Sequence, residues 1–513
     1  MTIPRPCGKI RGYEVDFLSE GVVVMNILYV SSEAVPFART GGLADVSTAL
    51  PSALERLGHR VTVVIPGYRP VFHGGLNPKD TGIRFPVTLG DKAVLAKIWK
   101  NTIPVSDIPI YFVQQDDYFD RNELYTENGC DYNDNCERFV FFCRAVMEMI
   151  SVMNLKVDIL HTNDWQTGLI PALQSLLYKK RTGYDRIATI HTIHNLAYQG
   201  IFWHWDLLLT GIGWEHFTFN ELEFYGKLNL MKAGVVFADG ITTVSPQYAL
   251  DIQSPAFGYG MESTMQYRSP MLRGILNGVC MKRWNPETDP YIAVPYNAET
   301  VLEKKPICKL DLQTVMGLTQ RNDVPLCGVV SRLAFQKGID LIAEVIPLWV
   351  EKHGIQFCLL GKGDRNLESR LSALAGQYPE NVAVRFEFSD ELSHKIEAGS
   401  DLFLMPSRYE PCGLNQMYSQ IYGTIPLVND TGGLADTVTD LTEETRENGT
   451  ATGFSAPSAD INSLNMTLWR ALDTYWNRKE TWNQLIKNGM RQDWSWAKSA
   501  IEYVRFYEKL VRK

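Results

Sequence analysis

The sequence predicts an α/β protein built from two doubly wound parallel sheets that face each other across a deep cleft. Three observations carry this. Short apolar runs without polar alternation recur along the chain between helical segments, the pattern of parallel strands covered on both faces. The pattern starts again after a segment rich in Gly, Asn, Asp and Pro at 274–290. The length, 513 residues, exceeds what one hydrophobic core usually fills.

The first strand lies in Met25 to Glu33 (MNILYVSSE), where apolar residues do not alternate with polar ones. A helix of about Ala44 to Leu57 follows and stops at Gly58. Arg60 to Ile65 then gives a second buried strand, completing a βαβ unit whose crossover should be right-handed. Runs at 108–113, 157–164, 186–195 and 240–246 continue the series. Beyond 274–290 come strands at 325–333, 357–364, 384–388, 401–408 and 425–433, with a helix from about Gly338 to Lys352 after the first. The expected division is a leader of no visible function at 1–24, a first domain at 25–273, a hinge at 274–290, a second domain at 291–495, and a closing segment at 496–513 with its helix from about Ala497 to Val511. Ligands of open α/β sheets bind outside the carboxyl ends of the strands, which directs the site to the gap between the domains.

Apolar residues make up 45% of the chain and charged residues 21%, which leaves little room for long disorder. The net charge of −8 argues against a nucleic-acid surface, so any anionic ligand must be held by a few local basic groups. Nine cysteines, scattered and free of any C-x-x-C pair, fit reduced thiols of a cytoplasmic enzyme rather than a zinc site. The longest apolar run near the start, roughly Gly21 to Val30, is about half of the ~20 residues that cross a bilayer. Asp16 and Glu20 precede it, so neither a membrane span nor a secretory signal is expected.

Thr40-Gly41-Gly42-Leu43-Ala44-Asp45 recurs letter for letter as Thr431-Gly432-Gly433-Leu434-Ala435-Asp436, each copy after a strand and at a helix start. Paired glycines there leave backbone N–H groups uncovered, and with the helix dipole these suit a phosphate; a tight turn would select the same residues. Ser331 to Gly338 (SRLAFQKG) brings Arg332 and Lys337 to the carboxyl edge of the second sheet. A planar guanidinium and a compact ammonium at that place form a diphosphate clamp, the alternative being a solvated basic loop. Pro406 to Gln416 (PSRYEPCGLNQ) sets Glu410 at the same edge, as a carboxylate for sugar hydroxyls or for positive charge developing on a sugar ring, or as a helix N-terminal cap. The backbone N–H groups of Cys412, Gly413 and Leu414 are the expected ligand contacts, in preference to a reactive Cys412 thiol.

In the first domain His161, Asp164, His191 and His194 stand at the ends of two strands. Strand spacing sends His191 and His194 in different directions and disfavours zinc. Asp164 and His194 are therefore assigned to sugar contacts, and His161 and His191 to the core or its neighbourhood. Asp164 with Glu410 also leaves open the carboxylate pair of a glycosidase.

With these segments in view, the chain from about Met25 to its C-terminus resembles the bacterial glycogen synthase and plant starch synthase family, retaining glucosyltransferases of the GT-B fold with two Rossmann-like domains. SSEAVPFARTGGLADV, NDWQTGLIP, TIHNLAYQG, FYGKLNLMKAG, ILNGV, SRLAFQKG, PSRYEPCGLNQ and YGTIPLVNDTGGLADTV occur in family order. The resemblance implies transfer of glucose from ADP-glucose, or UDP-glucose, to the non-reducing 4-hydroxyl of an α-1,4-glucan with retention of configuration and without metal or cofactor. By it, Arg332 and Lys337 hold the donor phosphates, Glu410 the transferred glucose, and Asp164 and His194 the sugar near its anomeric carbon. Arg39, Gly41, Gly42, Thr431 and Gly432 belong to the donor side, and Glu33, Asp45 and Asn277 line the cleft. Retention without a nucleophile–base pair implies front-face attack, in which the leaving diphosphate takes the acceptor's proton.

Two positions depart from the family pattern. Arg39 stands where the family usually has lysine, keeping the charge and changing its shape. Related transferases often carry a second glutamate eight residues after the first, and that place is Tyr418. A plastid or starch-granule location would follow from a photosynthetic eukaryotic source. The alternatives are a glucan phosphorylase or hydrolase, the former needing a pyridoxal-phosphate lysine, and a catalytically silent glucan-binding protein.

Overall fold

The structure, a computed structural model, describes residues 24–104 and 106–511, so the 1–24 leader falls outside it except for Val24. The first sheet has nine strands: β1 (Asn26–Val30), β2 (Arg60–Pro66), β3 (Lys79–Leu89), β4 (Lys92–Thr102), β5 (Pro109–Gln114), β6 (Ile159–Asn163), β7 (Ala188–Ile193), β8 (Gly240–Thr243) and β9 (Leu272–Gly274). They lie in the order β9-β8-β7-β6-β1-β2-β5-β4-β3. Central β1 pairs in parallel with β2 and β6, Leu28 standing opposite Thr62 and Leu160. The apolar runs foreseen above are these parallel strands. They pass over β3 and β4, an antiparallel hairpin at the sheet's end that turns at Gly90 and Asp91. Toward its C-terminal end β3 alternates buried and exposed residues, as a strand with one wet face does.

The second sheet has six parallel strands: β10 (Leu326–Val330), β11 (Gln356–Leu360), β12 (Val382–Arg385), β13 (Leu402–Met405), β14 (Ile425–Asn429) and β15 (Phe454–Ala456), in the order β12-β11-β10-β13-β14-β15. Each sheet is wound with its own core. The final helix (Trp496–Val511) returns to the first one, burying Trp496, Ala500, Tyr503, Phe506, Tyr507 and Leu510 among its apolar side chains. Its Tyr507 hydroxyl meets His161 Nδ1 at 2.7 Å, which ties the end of the chain to the centre of the first sheet.

The chain crosses between the lobes twice, and the crossings run side by side. Val279 N donates to Trp494 O at 2.6 Å, and Val279 and Ser495 form a parallel bridge. The 274–290 segment is divided between the lobes: Gly274 still belongs to β9, whereas Trp284 is stacked between His394 and Tyr418 of the second lobe, with both ring centroids at 3.9 Å. Beside the crossings, helix Pro246–Asp251 packs on helix Gly432–Thr437, and Gln247 N donates to Asp436 Oδ2 at 2.7 Å. One apolar cluster runs through this seam, from Ile193, Leu196, Met231 and Val244 to Leu404, Cys412 and Met417. Among the described residues no helix is long and apolar enough to cross a membrane.

Candidate active site

On the second lobe, β10 leads into the 331–338 loop and β13 into the 406–414 loop, and the two are clasped together. Gly338 closes the first with φ of +67°, and a Cβ there would stand 2.1 Å from Pro406 O, so only glycine fits. Arg408 completes the clasp: its guanidinium grips Asp340 at 2.8 and 2.7 Å, donates to Phe335 O and lies 3.5 Å over the Phe335 ring. This fixes Lys337, whose Nζ reaches Glu410 Oε2 at 2.5 Å, while Ser407 Oγ donates to the same oxygen at 3.2 Å. Arg332 is exposed and has no carboxylate partner among the described residues. The loop edge thus carries a neutral Lys337–Glu410 pair and one free positive charge.

Glu410 does not cap a helix. The helix that follows begins at Asn415, and the intervening Cys412 to Leu414 turn through Gly413 at φ +69°. Among the described residues none of these three N–H groups donates a hydrogen bond within the protein. The Cys412 thiol is buried, which pushes it up to about 12, and it sits against the Asn277 backbone. That is an inert thiol. The Asn277 side chain is itself buried, with Oδ1 unpartnered.

On the first lobe the 39–42 loop is shaped by Glu33. Its carboxylate accepts from Thr40 N at 2.6 Å, Thr40 Oγ1 at 2.5 Å, Gly41 N at 3.3 Å and Tyr125 OH at 2.7 Å. Glu33 therefore acts on the loop rather than presenting a free carboxylate. Around Gly41 and Gly42 a Cβ would meet nothing within 4 Å, so the backbone faces open space. The helix begins at Gly42, two residues before the expected Ala44. The Arg39 guanidinium lies 3.1 Å from Asp45 Oδ2, and burial raises the Asp45 carboxyl against the pull of Arg39 and Arg283.

The second glycine copy, expected with Thr431 and Gly432 on the donor side, is built differently. Gly432 N donates to Asp251 Oδ2 of the first lobe at 3.0 Å, and Gly433 N to Glu410 O at 3.0 Å. A Cβ on Gly432 or Gly433 would stand 2.1 Å from Glu410 O or Cys412 O respectively. Here the glycines let two backbones touch, and the helix start already faces a protein carboxylate.

His194 and Asp164 share one knot. Asp164, at φ +54° in the turn after β6, accepts from His194 N at 2.7 Å and from Asn195 N, yet burial outweighs both and raises its carboxyl to about 7. Asp164 thus holds the loop that carries His194. The His194 ring lies 2.9 Å through Nε2 from Asn163 Oδ1, and burial lowers it to about 3, so the imidazole is neutral. His161 and His191 lie in the core, on Tyr507 and Thr192, and on Thr162 and Met231. Among the described residues no group of three His, Cys, Asp or Glu could hold a metal ion.

The two edges meet at the seam. Tyr409, next to Glu410, packs on Tyr259 of the first lobe with ring centroids 6.0 Å apart. The buried Tyr248 phenol is influenced by both Tyr409 and Asp164, and its hydroxyl accepts from Leu196 N at 3.0 Å. Sequence reasoning missed Tyr125, Asn163, Arg408 and Arg283, whose work is to hold other groups. Asn163 and Arg408 sit inside the NDW and PSRYEP segments, but their roles depend on partners elsewhere in the chain.

Two Rossmann-like lobes with a polar site at their junction define a GT-B glycosyltransferase. A family model described as the starch synthase catalytic domain matches residues 26–267, and one for glycosyl transferases group 1 matches 318–492. A glycogen synthase of Rhodopirellula baltica is 42% identical over 95% of this chain and 98% of its own. One of Syntrophotalea carbinolica is 44% identical over 95% and 99%. The solved catalytic domain of starch synthase IV from Arabidopsis thaliana, bound to ADP and acarbose, superposes with a TM-score of 0.87 at 32% identity, covering 96% of this chain and 100% of that one. A sucrose-phosphate synthase from Thermosynechococcus elongatus, at 18% identity and a TM-score of 0.59, shares the fold. The chain belongs to the glycogen and starch synthase family, and its activity is glucosyl transfer of that kind.

Proposed function

We propose that the chain transfers glucose from ADP-glucose, rather than UDP-glucose, to the non-reducing 4-hydroxyl of an α-1,4-glucan in the cytoplasm. The observation that carries this reading is the clasped second-lobe edge, where Lys337, Glu410 and Arg332 stand beside the three undonated N–H groups of residues 412–414. In this scheme Arg332 and Lys337 neutralise the departing diphosphate. The N–H groups of 412–414 bind its oxygens, and the open backbone at Gly41 and Gly42 lets it approach. Glu410 accepts from the sugar's hydroxyls and faces the positive charge that grows on its ring. Neutral His194 contacts the same sugar from the other lobe. The diphosphate takes the acceptor's proton, so no separate base is required. The ADP of the Arabidopsis relative supports the choice of adenine nucleotide, and its acarbose supports a glucan acceptor.

The test mixes the protein with ADP-glucose and maltotriose in the presence of a chelator, with UDP-glucose in parallel. The expected result is ADP and maltotetraose, with slower use of UDP-glucose, and Glu410→Ala should lower turnover by about a hundredfold or more while ADP still binds. ADP release no faster than without acceptor defeats the proposal.

A further inference from the structure

The carboxyl edge of the second sheet carries a basic side chain that the scheme above leaves unused. β10 and β11 pair in parallel, Val330 opposite Leu360, and the register continues past the strand ends. Ser331 N donates to Leu360 O at 3.1 Å, Leu333 N donates to Lys362 O at 3.1 Å, and Leu333 bridges to Gly363. A Cβ on Gly361 would collide with Ser331 O, so glycine lets the two loops run side by side. Arg332 therefore stands opposite Lys362, and residues in register on neighbouring strands project from the same face. Both side chains are exposed, and among the described residues neither forms an ion pair. Of the acids on this loop and the next, Asp364 accepts from Asn366 N and Leu367 N at 2.8 and 3.1 Å, Glu368 accepts from Gly363 N at 2.9 Å, and Asp390 pairs with Arg283. Glu387, after β12, is exposed and is offset in charge by the exposed Arg365.

Two like charges opposite each other on one face repel, and an anion between them relieves the repulsion. The strand order says which anion. Along β12-β11-β10-β13, Glu410 follows β13, Arg332 and Lys337 follow β10, and Lys362 follows β11, so Lys362 lies on the far side of Arg332 from Glu410. The Tyr409 phenol, pushed up by burial and by its bond to Tyr259, is pulled back by Arg332, which sets the guanidinium on the cleft side. With the sugar at Glu410 and the diphosphate at Arg332, the part of the donor that extends toward β11 is its nucleoside end, where the first charge is the α-phosphate. We propose that Lys362 binds the α-phosphate of the sugar nucleotide and shares it with Arg332. The α-phosphate keeps its charge through the reaction, because the bond to glucose breaks at the β-phosphate and the new negative charge grows there. Lys362 thus holds donor and transition state alike, which lowers KM without raising kcat, whereas Arg332 and Lys337 meet the growing charge. This rests on the glucosyl-transfer reading with a sugar nucleotide as donor.

The test uses the full chain with Lys362→Ala and Lys362→Gln, and with Lys362→Arg as the conservative variant. Affinities for AMP, ADP and adenosine are read by calorimetry, and ADP release is followed against ADP-glucose concentration with glycogen as acceptor. Lys362→Ala and Lys362→Gln should raise the KM for ADP-glucose and weaken AMP and ADP by a common factor of about five to twenty, with kcat falling less than about twofold and adenosine unaffected. Lys362→Arg should keep AMP within about threefold of wild type. AMP and ADP affinities at the wild-type value in both variants overturn the proposal. So does a loss confined to ADP, which places the ammonium at the β-phosphate, or an equal loss for adenosine, which places it on the base or ribose. Without nucleotide neither variant should melt below the wild type, since one of two repelling charges is gone; a lower melting temperature gives Lys362 a structural role and overturns the proposal too. Failure of the transfer reading is separately visible, as wild-type protein that binds AMP and ADP but releases no ADP when acceptor is present.

Discussion

Asn163 donates its Nδ2–H to Val30 O at 3.0 Å, which turns its Oδ1 toward His194, and the same oxygen accepts from Tyr29 OH at 3.0 Å. Because that oxygen can only accept, His194 must donate from Nε2, and Nδ1 is left with a lone pair for a sugar hydroxyl. Asn163→Asp would put a carboxylate beside the ring, raise its pKa and, on protonation, convert Nδ1 into a donor. The expected result is a further acid limb in the kcat profile between pH 5 and 8, beyond any that Asp164 sets, which His194 near 3 does not give the wild type. Superimposable profiles would leave Asn163 without this role. Asp164 makes the opposite kind of prediction. Its folded carboxyl, near 7, holds its proton more tightly than the ordinary carboxylate at 3.8, so its contribution to stability is greatest below pH 4, falls as pH rises toward 7, and is level above. Asp164→Asn keeps an oxygen for His194 N and cannot ionise. The melting temperature of the variant minus that of the wild type should therefore climb between pH 4 and 7, by an amount set by at most about 4 kcal/mol before solvent screening. A difference that is flat with pH would mean that Asp164 ionises normally.

The two T-G-G-L-A-D elements are identical in sequence and different in use. What separates them is the chain packed against them, open space at Gly41 and the carbonyls of Glu410 and Cys412 at Gly432 and Gly433. Gly433→Ala should cost about 1–3 kcal/mol by overpacking, read as a lower denaturation midpoint. Gly41→Ala should leave that midpoint within about 0.5 kcal/mol of wild type and raise the KM for the sugar nucleotide, since the added methyl stands where the ligand would approach. Equal destabilisation by both would contradict the distinction. The same contrast explains what could be read from the sequence. Buried parallel strands announce themselves as unbroken apolar runs such as Leu402–Met405, and ligands of such sheets bind at the loops that follow, which is why the sequence directs attention to Arg332, Lys337, Glu410 and His194. The Gly90–Asp91 hairpin gives no such signal, because the strands on either side of it have one wet face and do not run apolar throughout. Glu33 is legible as an acid but not as the holder of the 39–42 loop, because its bonds to Thr40 and Gly41 depend on how that loop folds back, and Tyr125, which also donates to it, is 92 residues away.

At the scale of the whole molecule an ionic bridge and an apolar seam are among the interactions that join the lobes, and their magnitudes decide which of the two governs the cleft. Arg283 binds Asp390 of the second lobe and lies 3.8 Å from Asp45 of the first, but all three side chains are about a third to a half exposed, so each contact is worth at most about 1 kcal/mol and weakens with salt. The apolar seam from Leu196 and Met231 to Leu404 and Met417 buries many large side chains, each contributing about 1.5–3 kcal/mol, and it is continued by the paired crossings. The seam should therefore set the lobe arrangement, with the ionic bridge only adjusting it. Gly278 tests this, because a Cβ there would stand 2.6 Å from the Trp496 backbone and force the two crossings apart. Gly278→Val is expected to lower kcat more than about tenfold and to enlarge the radius of gyration in solution scattering. Arg283→Gln should change the KM for the sugar nucleotide by less than about fivefold and remove part of its salt dependence. An Arg283 variant as damaging as the Gly278 variant would show that the bridge, not the seam, holds the lobes in register.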